Sequence, residues 1–344
     1  MDSTLIVSGS LDNTIRVWRP PKKSFTFQRI SLRPFIEIFK FLTPKEVLRV
    51  SRVNSQFYEA CFHQEILARV HPFKQVQVLQ GHKDSVKSVA VSSKKEFLVS
   101  SSYENTIRVW DLNTGKQVRL LKGHNGLVYS VAISRKDEFL VSGSSDNTIR
   151  VWDLTSGLQT QLLEGHSESV RSVAISRSEE FFVSGSGDET IRIWNAISGH
   201  QTQVLRGHSG CIYSVVISST EKLIVSGSSD KTIRVWSILT GDQTQIFRGH
   251  SDCVNSVMIS SKDDFVASAS RDRTIKLWSL ASKSQILALE GHQDGVLSLD
   301  LSKDDKCLVS GGEDDLIIVW NLQTKQQTQT LEGHTNGVSS VKFV

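Results

Sequence analysis

The chain has 344 residues, 38% hydrophobic and 22% charged, with a net charge of +4. Its longest apolar run, residues 316–320 (LIIVW), is far shorter than the ~20 residues of a membrane-crossing helix, and the opening MDSTLIVSGS lacks the basic start and apolar stretch of a secretory leader. The four cysteines, Cys61, Cys211, Cys253 and Cys307, show no close pairing that indicates a disulfide framework or a zinc site, so a soluble, reduced, intracellular protein is expected, in the cytoplasm with the nucleus also open to it.

Residues 1–18 hold two short β-prone runs, LIVSGS and NTIRVW, around a turn-forming Leu-Asp pair. Their meaning comes from what recurs downstream. The histidines of seven Gly-His pairs, His82, His124, His166, His208, His250, His292 and His334, are spaced by 42 residues. Trp110, Trp152, Trp194, Trp236, Trp278 and Trp320 keep the same step, each 28 residues after a Gly-His histidine. From His334 off the C-terminus and back through Met1 to Trp18 is also 28, while Trp18 to Trp110 is 92. The sequence is therefore a closed set of seven repeats with one 50-residue insertion. Residues 1–18 are the second and third strands of a split repeat, whose first strand stands at the other end of the chain.

The insertion, residues 19–74 with its linkers, differs in composition. It carries eleven basic and four acidic residues, all five prolines, eight of fifteen phenylalanines and no glycine. The rest of the chain carries 29 basic and 32 acidic residues and is mildly acidic. Phe35, Ile38, Phe39 and Leu42 form an apolar stripe at helical spacing. Thr43-Pro44-Lys45-Glu46 reads as a capping box with proline at the first helical position. Val50, Val53, Phe57, Phe62, Ile66 and Leu67 continue apolar faces, giving three short helices between about 34 and 70. Helices this few cannot bury such faces alone, which implies a docking partner. The residues Ile30-Ser31, 38–42 (IFKFL), 44–48 (PKEVL), 53–57 (VNSQF) and Ile66-Leu67 resemble an F-box. That resemblance implies a module over about 29–70 that docks on a Skp-type adaptor, and through it a cullin, with Ile30, Phe35, Ile38, Phe39, Leu42, Val47, Leu48, Val53 and Phe57 at the contact.

Residues 75–344 hold the remaining repeats. In residues 123–164, the stretches VYSVAI, FLVSGS, TIRVW and QTQLL alternate with SRKDE, SSDN and LTSG. This predicts four strands of about five residues joined by tight turns. A period of 42 with Gly-His and Trp-Asp landmarks resembles the WD-repeat family, whose unit is one propeller blade. The fold expected is an all-β seven-bladed propeller with a small all-α, F-box-like insertion in its first blade. The C-terminal strand, within residues 334–344, is expected to complete that blade and join the ring's ends.

Two polar columns accompany the repeat. Serines stand ten residues before each tryptophan (Ser8, Ser100, Ser142, Ser184, Ser226, Ser268, Ser310) and acids six before (Asp12, Glu104, Asp146, Asp188, Asp230, Asp272, Asp314). With the histidines they have the makings of a Ser-His-Asp triad, but seven copies point to a structural network, as the hydrogen-bonded tetrad of WD-repeat blades implies. The longer side chain of Glu104 predicts a looser tetrad in its blade. Cations two residues before each tryptophan, broken at Ile318, lie in a ring of negative net charge, so a nucleic-acid partner is not expected. No cofactor and no metal site are indicated.

Positions that vary between repeats are free for recognition. Five residues after the histidine stand Lys87, Tyr129, Arg171, Tyr213, Asn255, Leu297 and Ser339, and one before the turn acid stand Tyr103, Arg271 and Glu313. Three of the four tyrosines fall in these slots, and Tyr and Arg dominate interface hot spots. The WD-repeat resemblance implies that this Gly-His-loop face meets a protein or peptide substrate through Lys87, Tyr103, Tyr129, Arg171, Tyr213, Asn255, Arg271 and Leu297. Together the two resemblances imply a non-catalytic substrate receptor of a Skp–cullin–F-box ubiquitin ligase, with a scaffold unrelated to ubiquitin as the alternative.

Overall fold

The computed structural model describes residues 5–20 and 73–344. The helices expected between about 34 and 70, and every residue assigned above to adaptor docking from Ile30 to Phe57, lie outside the described residues. Within them, twenty-eight strands, β1 to β28 in chain order, form seven four-stranded antiparallel sheets. The propeller expected from the period is what forms.

Each blade grades from wet to dry according to its sequence. The second strands, such as Phe139–Ser144 (FLVSGS), are buried at nearly every residue. They lie between two neighbouring blades, so both faces carry apolar or very small side chains and alternation is lost. The fourth strands, such as Gln159–Leu163 (QTQLL), are blade edges and expose residues along most of their length. A register shift just before the tryptophan recurs between third and fourth strands, as at Val151/Trp152. The core sits between blades: Val99, Ile107, Val109 and Leu121 of one blade pack with Val128, Val131, Leu140 and Trp152 of the next.

Serines six residues after each Gly-His histidine bind the blades around the channel. Val131 N–H donates to Ser88 Oγ, Val173 to Ser130, Val215 to Ser172 and Val257 to Ser214. Leu299 donates to Ser256, Val341 to Ser298 and Val89 to Ser340, at 3.0–3.4 Å around the whole ring. Each inner strand thus gains partners on the edge it turns to the channel, where backbone groups otherwise lack them.

The ring closes through the two ends of the chain. Strand β28 (Ser340–Phe343) pairs with β1 (Ile6–Gly9), which pairs with β2 (Ile15–Arg19) and that with β3 (Lys74–Leu79). Leu5 and Val344 exchange backbone hydrogen bonds at 3.1 and 2.8 Å. Ile6 and Trp18 share a buried cluster with Val338 and Val341. The sequence between β2 and β3 leaves the sheet where Arg19 and Lys74 are register partners, at the opposite end from the β1–β2 turn. The return point is clamped: Phe73 N–H donates to Gln329 Oε1 at 2.8 Å, and Gln329 Nε2 donates to Phe73 O at 2.9 Å.

Candidate functional site

In each blade, histidine, serine, acid and tryptophan come together. His124 Nδ1 meets Asp146 Oδ2 at 2.8 Å, its Nε2 meets Ser142 Oγ at 2.8 Å, and Trp152 Nε1 donates to the same Oγ at 2.9 Å. An ionised carboxylate only accepts, so Nδ1 donates to Asp146. The split blade builds its tetrad across the termini: His334 bonds Asp12 at 2.8 Å and Ser8 at 2.9 Å, and Trp18 donates to Ser8 at 3.1 Å. These serine hydroxyls are fully buried and already bonded on both sides, which ties them to structure rather than to nucleophilic chemistry. Burial opposes ionisation of Asp12, Asp146, Asp188, Asp230 and Asp272, yet bonds from histidine, threonine and backbone outweigh it and hold each well below the usual carboxylate range.

Glu104 overturns the expectation of a looser tetrad. Its Oε1 lies 2.6 Å from His82 Nδ1, with Ser100 at 2.7 Å from Nε2 and Trp110 at 2.8 Å from Ser100. The extra methylene brings the carboxylate within reach of Arg108, whose Nε donates at 3.0 Å. In Arg16, Arg150, Arg192 and Arg234, the same Nε is buried without a partner. Burial again opposes ionisation, but Thr106, Arg108 and His82 bring Glu104 down to about 2. Burial pushes His82 down to about 4 against the pull of Glu104.

A fifth member went unread in the sequence. Thr14, Thr106, Thr148, Thr190, Thr232 and Thr274 stand two residues after the acid, and each donates to it, as Thr148 Oγ1 does to Asp146 Oδ1 at 2.6 Å. The signal was positional and available: the threonine recurs in six repeats and gives way to Leu316 in the seventh. The cation column is also accounted for, since Arg16, Arg108, Arg150, Arg192 and Arg234 each donate to a glutamine of the neighbouring fourth strand, Gln75, Gln117, Gln159, Gln201 and Gln243.

The variable positions gather at one place. Lys87, Tyr129, Arg171, Tyr213, Asn255 and Leu297 all line an axial channel of about 780 Å³. Tyr103 stands beside them, its ring edge-to-face with Tyr129 at 5.8 Å. The Arg171 guanidinium stacks on Tyr129 at 4.0 Å, and the Lys87 ammonium lies 6.0 Å from the Tyr103 ring centre. Burial raises the Tyr103 and Tyr213 phenols, which stay neutral and able to donate. Asn255 is partly spent on structure, its Nδ2 donating to Val296 O at 2.9 Å. Arg271 is apart from the channel lining, near Glu313 and Gly295. Among the described residues, no three His, Cys, Asp or Glu side chains converge as metal ligands.

Seven segments, residues 1–19, 73–111, 115–153, 157–195, 199–237, 241–279 and 283–321, match the family described as WD domain, G-beta repeat. The chain is a WD-repeat protein. It is 31% identical over 114 residues to WD repeat-containing protein pop2 of Schizosaccharomyces pombe, covering 33% of this chain and 12% of that one. It is 49% identical over 39 residues to Cross-pathway control WD-repeat protein 2 of Flammulina velutipes, 11% of this chain and 12% of the relative. A ribosome biogenesis protein BOP1 homolog of Drosophila erecta is 44% identical over 48 residues, 13% of this chain and 6% of the relative. The matched stretch thus spans 12% or less of each relative's length. WD-repeat membership accounts for the seven repeated blades.

Proposed function

We propose that this WD-repeat protein is a non-catalytic substrate receptor of a Skp–cullin–F-box ubiquitin ligase. Residues 29–70 dock the Skp adaptor, and the channel-mouth face holds the protein to be modified. The observation that carries the reading is the geometry of attachment. The insertion, with its F-box-like sequence, joins the ring at the Arg19–Lys74 pair, at the far end of the blade from the turn beside the tetrad acid Asp12. Adaptor and substrate then occupy opposite faces of one rigid disk without competing. The contribution to ubiquitin transfer is proximity, which raises the local concentration of substrate lysines.

Co-purification of the full chain with a Skp adaptor tests it. The unmodified chain should capture the adaptor, and Phe39→Asp or Leu42→Asp should abolish capture. Arg171→Ala with Tyr213→Ala should lose substrate and keep adaptor. No capture by the unmodified chain sinks the ligase reading and favours a scaffold in which the ring joins proteins outside the ubiquitin pathway.

A further inference from the structure

The axial channel is lined by four cations, Lys87, Arg171, Arg177 and Lys342, and by no Asp or Glu among the described residues. This stands out in a ring whose residues outside the insertion are mildly acidic overall. Lys342 is committed elsewhere, since its Nζ lies 3.3 Å from Asp300 Oδ1. Neither Lys87 nor Arg171 has a carboxylate within ion-pair distance among the described residues, and the Arg171 side chain also bonds the Cys211 side chain. The Arg171 Nε is buried with no hydrogen-bond partner. The guanidinium has one face on Tyr129, which leaves its in-plane N–H edge clear of that contact, and this edge is what grips a phosphate in a fork.

Lys87 and Arg171 come from strands β4 (Val86–Val91) and β12 (Val170–Ile175), the inner strands of the second and fourth blades. Tyr129, on the inner strand of the blade between, separates them, and its contact with Tyr103 fixes the wall. Two like charges held in a low-dielectric setting repel: after burial itself, the charge of Arg171 is the largest influence lowering the Lys87 ammonium, and Glu313 opposes it more weakly. A cation on each of two touching rings, Arg171 on Tyr129 and Lys87 near Tyr103, suits a ligand with two anionic groups better than one with a single group. A channel of about 780 Å³ falls within the range of small-ligand sites.

We propose that the channel mouth binds a small free polyanion carrying at least two phosphoryl groups, gripped by Arg171 and Lys87 against the Tyr129 ring. The proposal rests on the partner-face reading above and adds a soluble ligand beneath the rim. Titration calorimetry of the full chain with pyrophosphate at low salt tests it, with inorganic phosphate as the single-group comparison and a phosphoserine peptide as a protein-borne source. Pyrophosphate should bind about tenfold or more tighter than phosphate, and Lys87→Met or Arg171→Met should each weaken it by about tenfold. Arg171→Lys, which keeps charge and loses the planar fork, should weaken it several-fold and guards against misfolding in the methionine variants. Lys116→Met, at an exposed residue away from the channel lining, should leave it unchanged. The proposal falls if pyrophosphate does not bind at millimolar concentration, if binding survives the substitutions at 87 and 171, or if only the phosphopeptide binds. A chain that captures protein partners and adaptor while binding no pyrophosphate overturns this proposal alone.

Discussion

Three tetrad histidines, His82, His166 and His208, make acid sensitivity a property of single residues. His82 is pushed from 6.5 to about 4 because burial penalises its charged form more than Glu104 rewards it. His166 and His208 are lowered for the same first cause, with Asp188 and Asp230 opposing. Between pH 6.5 and about 4, the unfolded chain therefore binds protons at His82 that the folded chain refuses, and stability falls as pH drops through that window. Glu104, held near 2 when folded against 4.5 when unfolded, contributes stability above its unfolded value and loses it as pH falls toward 2. Both effects have the same sign, histidine first and carboxylate after. Urea unfolding should show a midpoint that drops between pH 6.5 and 4 and drops further below; a midpoint constant down to pH 4 contradicts histidines held neutral. The four-residue tetrad was legible because all its members recur on one period. Its tightness at Glu104 was not, because that depends on where Arg108 Nε lies, and spacing alone does not say that the longer acid reaches it.

At the scale of elements, the seams between blades carry most of what repetition hid. Ser88 and its six equivalents recur as plainly as the tryptophans, but each accepts from a residue in the next blade, 43 positions on in six cases and across the chain ends from Val89 to Ser340 in the seventh. A pairing between repeats does not show within one repeat. Gln161, Gln203 and Gln245 likewise reach the carbonyls of Ala196, Ile238 and Leu280 in the following blade. One seam is unlike the others. Three of the channel positions eight residues after the histidine hold Ala90, Ala132 and Ala174, whereas the seam between the last blade and the closing strand holds Asp300 and Lys342. Phe343 N–H adds a bond to Asp300 Oδ2 at 2.8 Å. Burial raises the Asp300 carboxyl against the pull of Lys342, so the acid depends on its partner. Lys342→Met should destabilise the ring by about 1–3 kcal/mol, less than a fully buried pair loses because the lysine is partly exposed. Asp300→Ala with Lys342→Ala, which copies the alanine blades, should recover most of the loss. Denaturant unfolding of both variants checks this, and a double variant no more stable than Lys342→Met counts against a coupled pair.

For the whole molecule, closure decides how the ring fails. The period alone announced a ring, since 28 residues separate His334 from Trp18 across the termini just as they separate His82 from Trp110. Deleting residues 335–344 removes β28, leaves β1 as an open edge and uncovers Ile6, Trp18 and Val309, which pack against Val338 and Val341. The serine ring loses the bonds of Ser340 and Val341, and Asp300 loses both Lys342 and Phe343 N–H. These losses all fall on the first blade and its two neighbours. Each blade packs chiefly on its neighbours, so stability is a sum of local units and seams. Amide exchange in the shortened chain should rise first in β1, β2 and β24 (Val296–Leu301), while the fourth and fifth blades on the far side keep their protection. A uniform rise in every blade means that the ring unfolds as a single cooperative unit. The closing strand then holds up the whole ring rather than the one seam it spans.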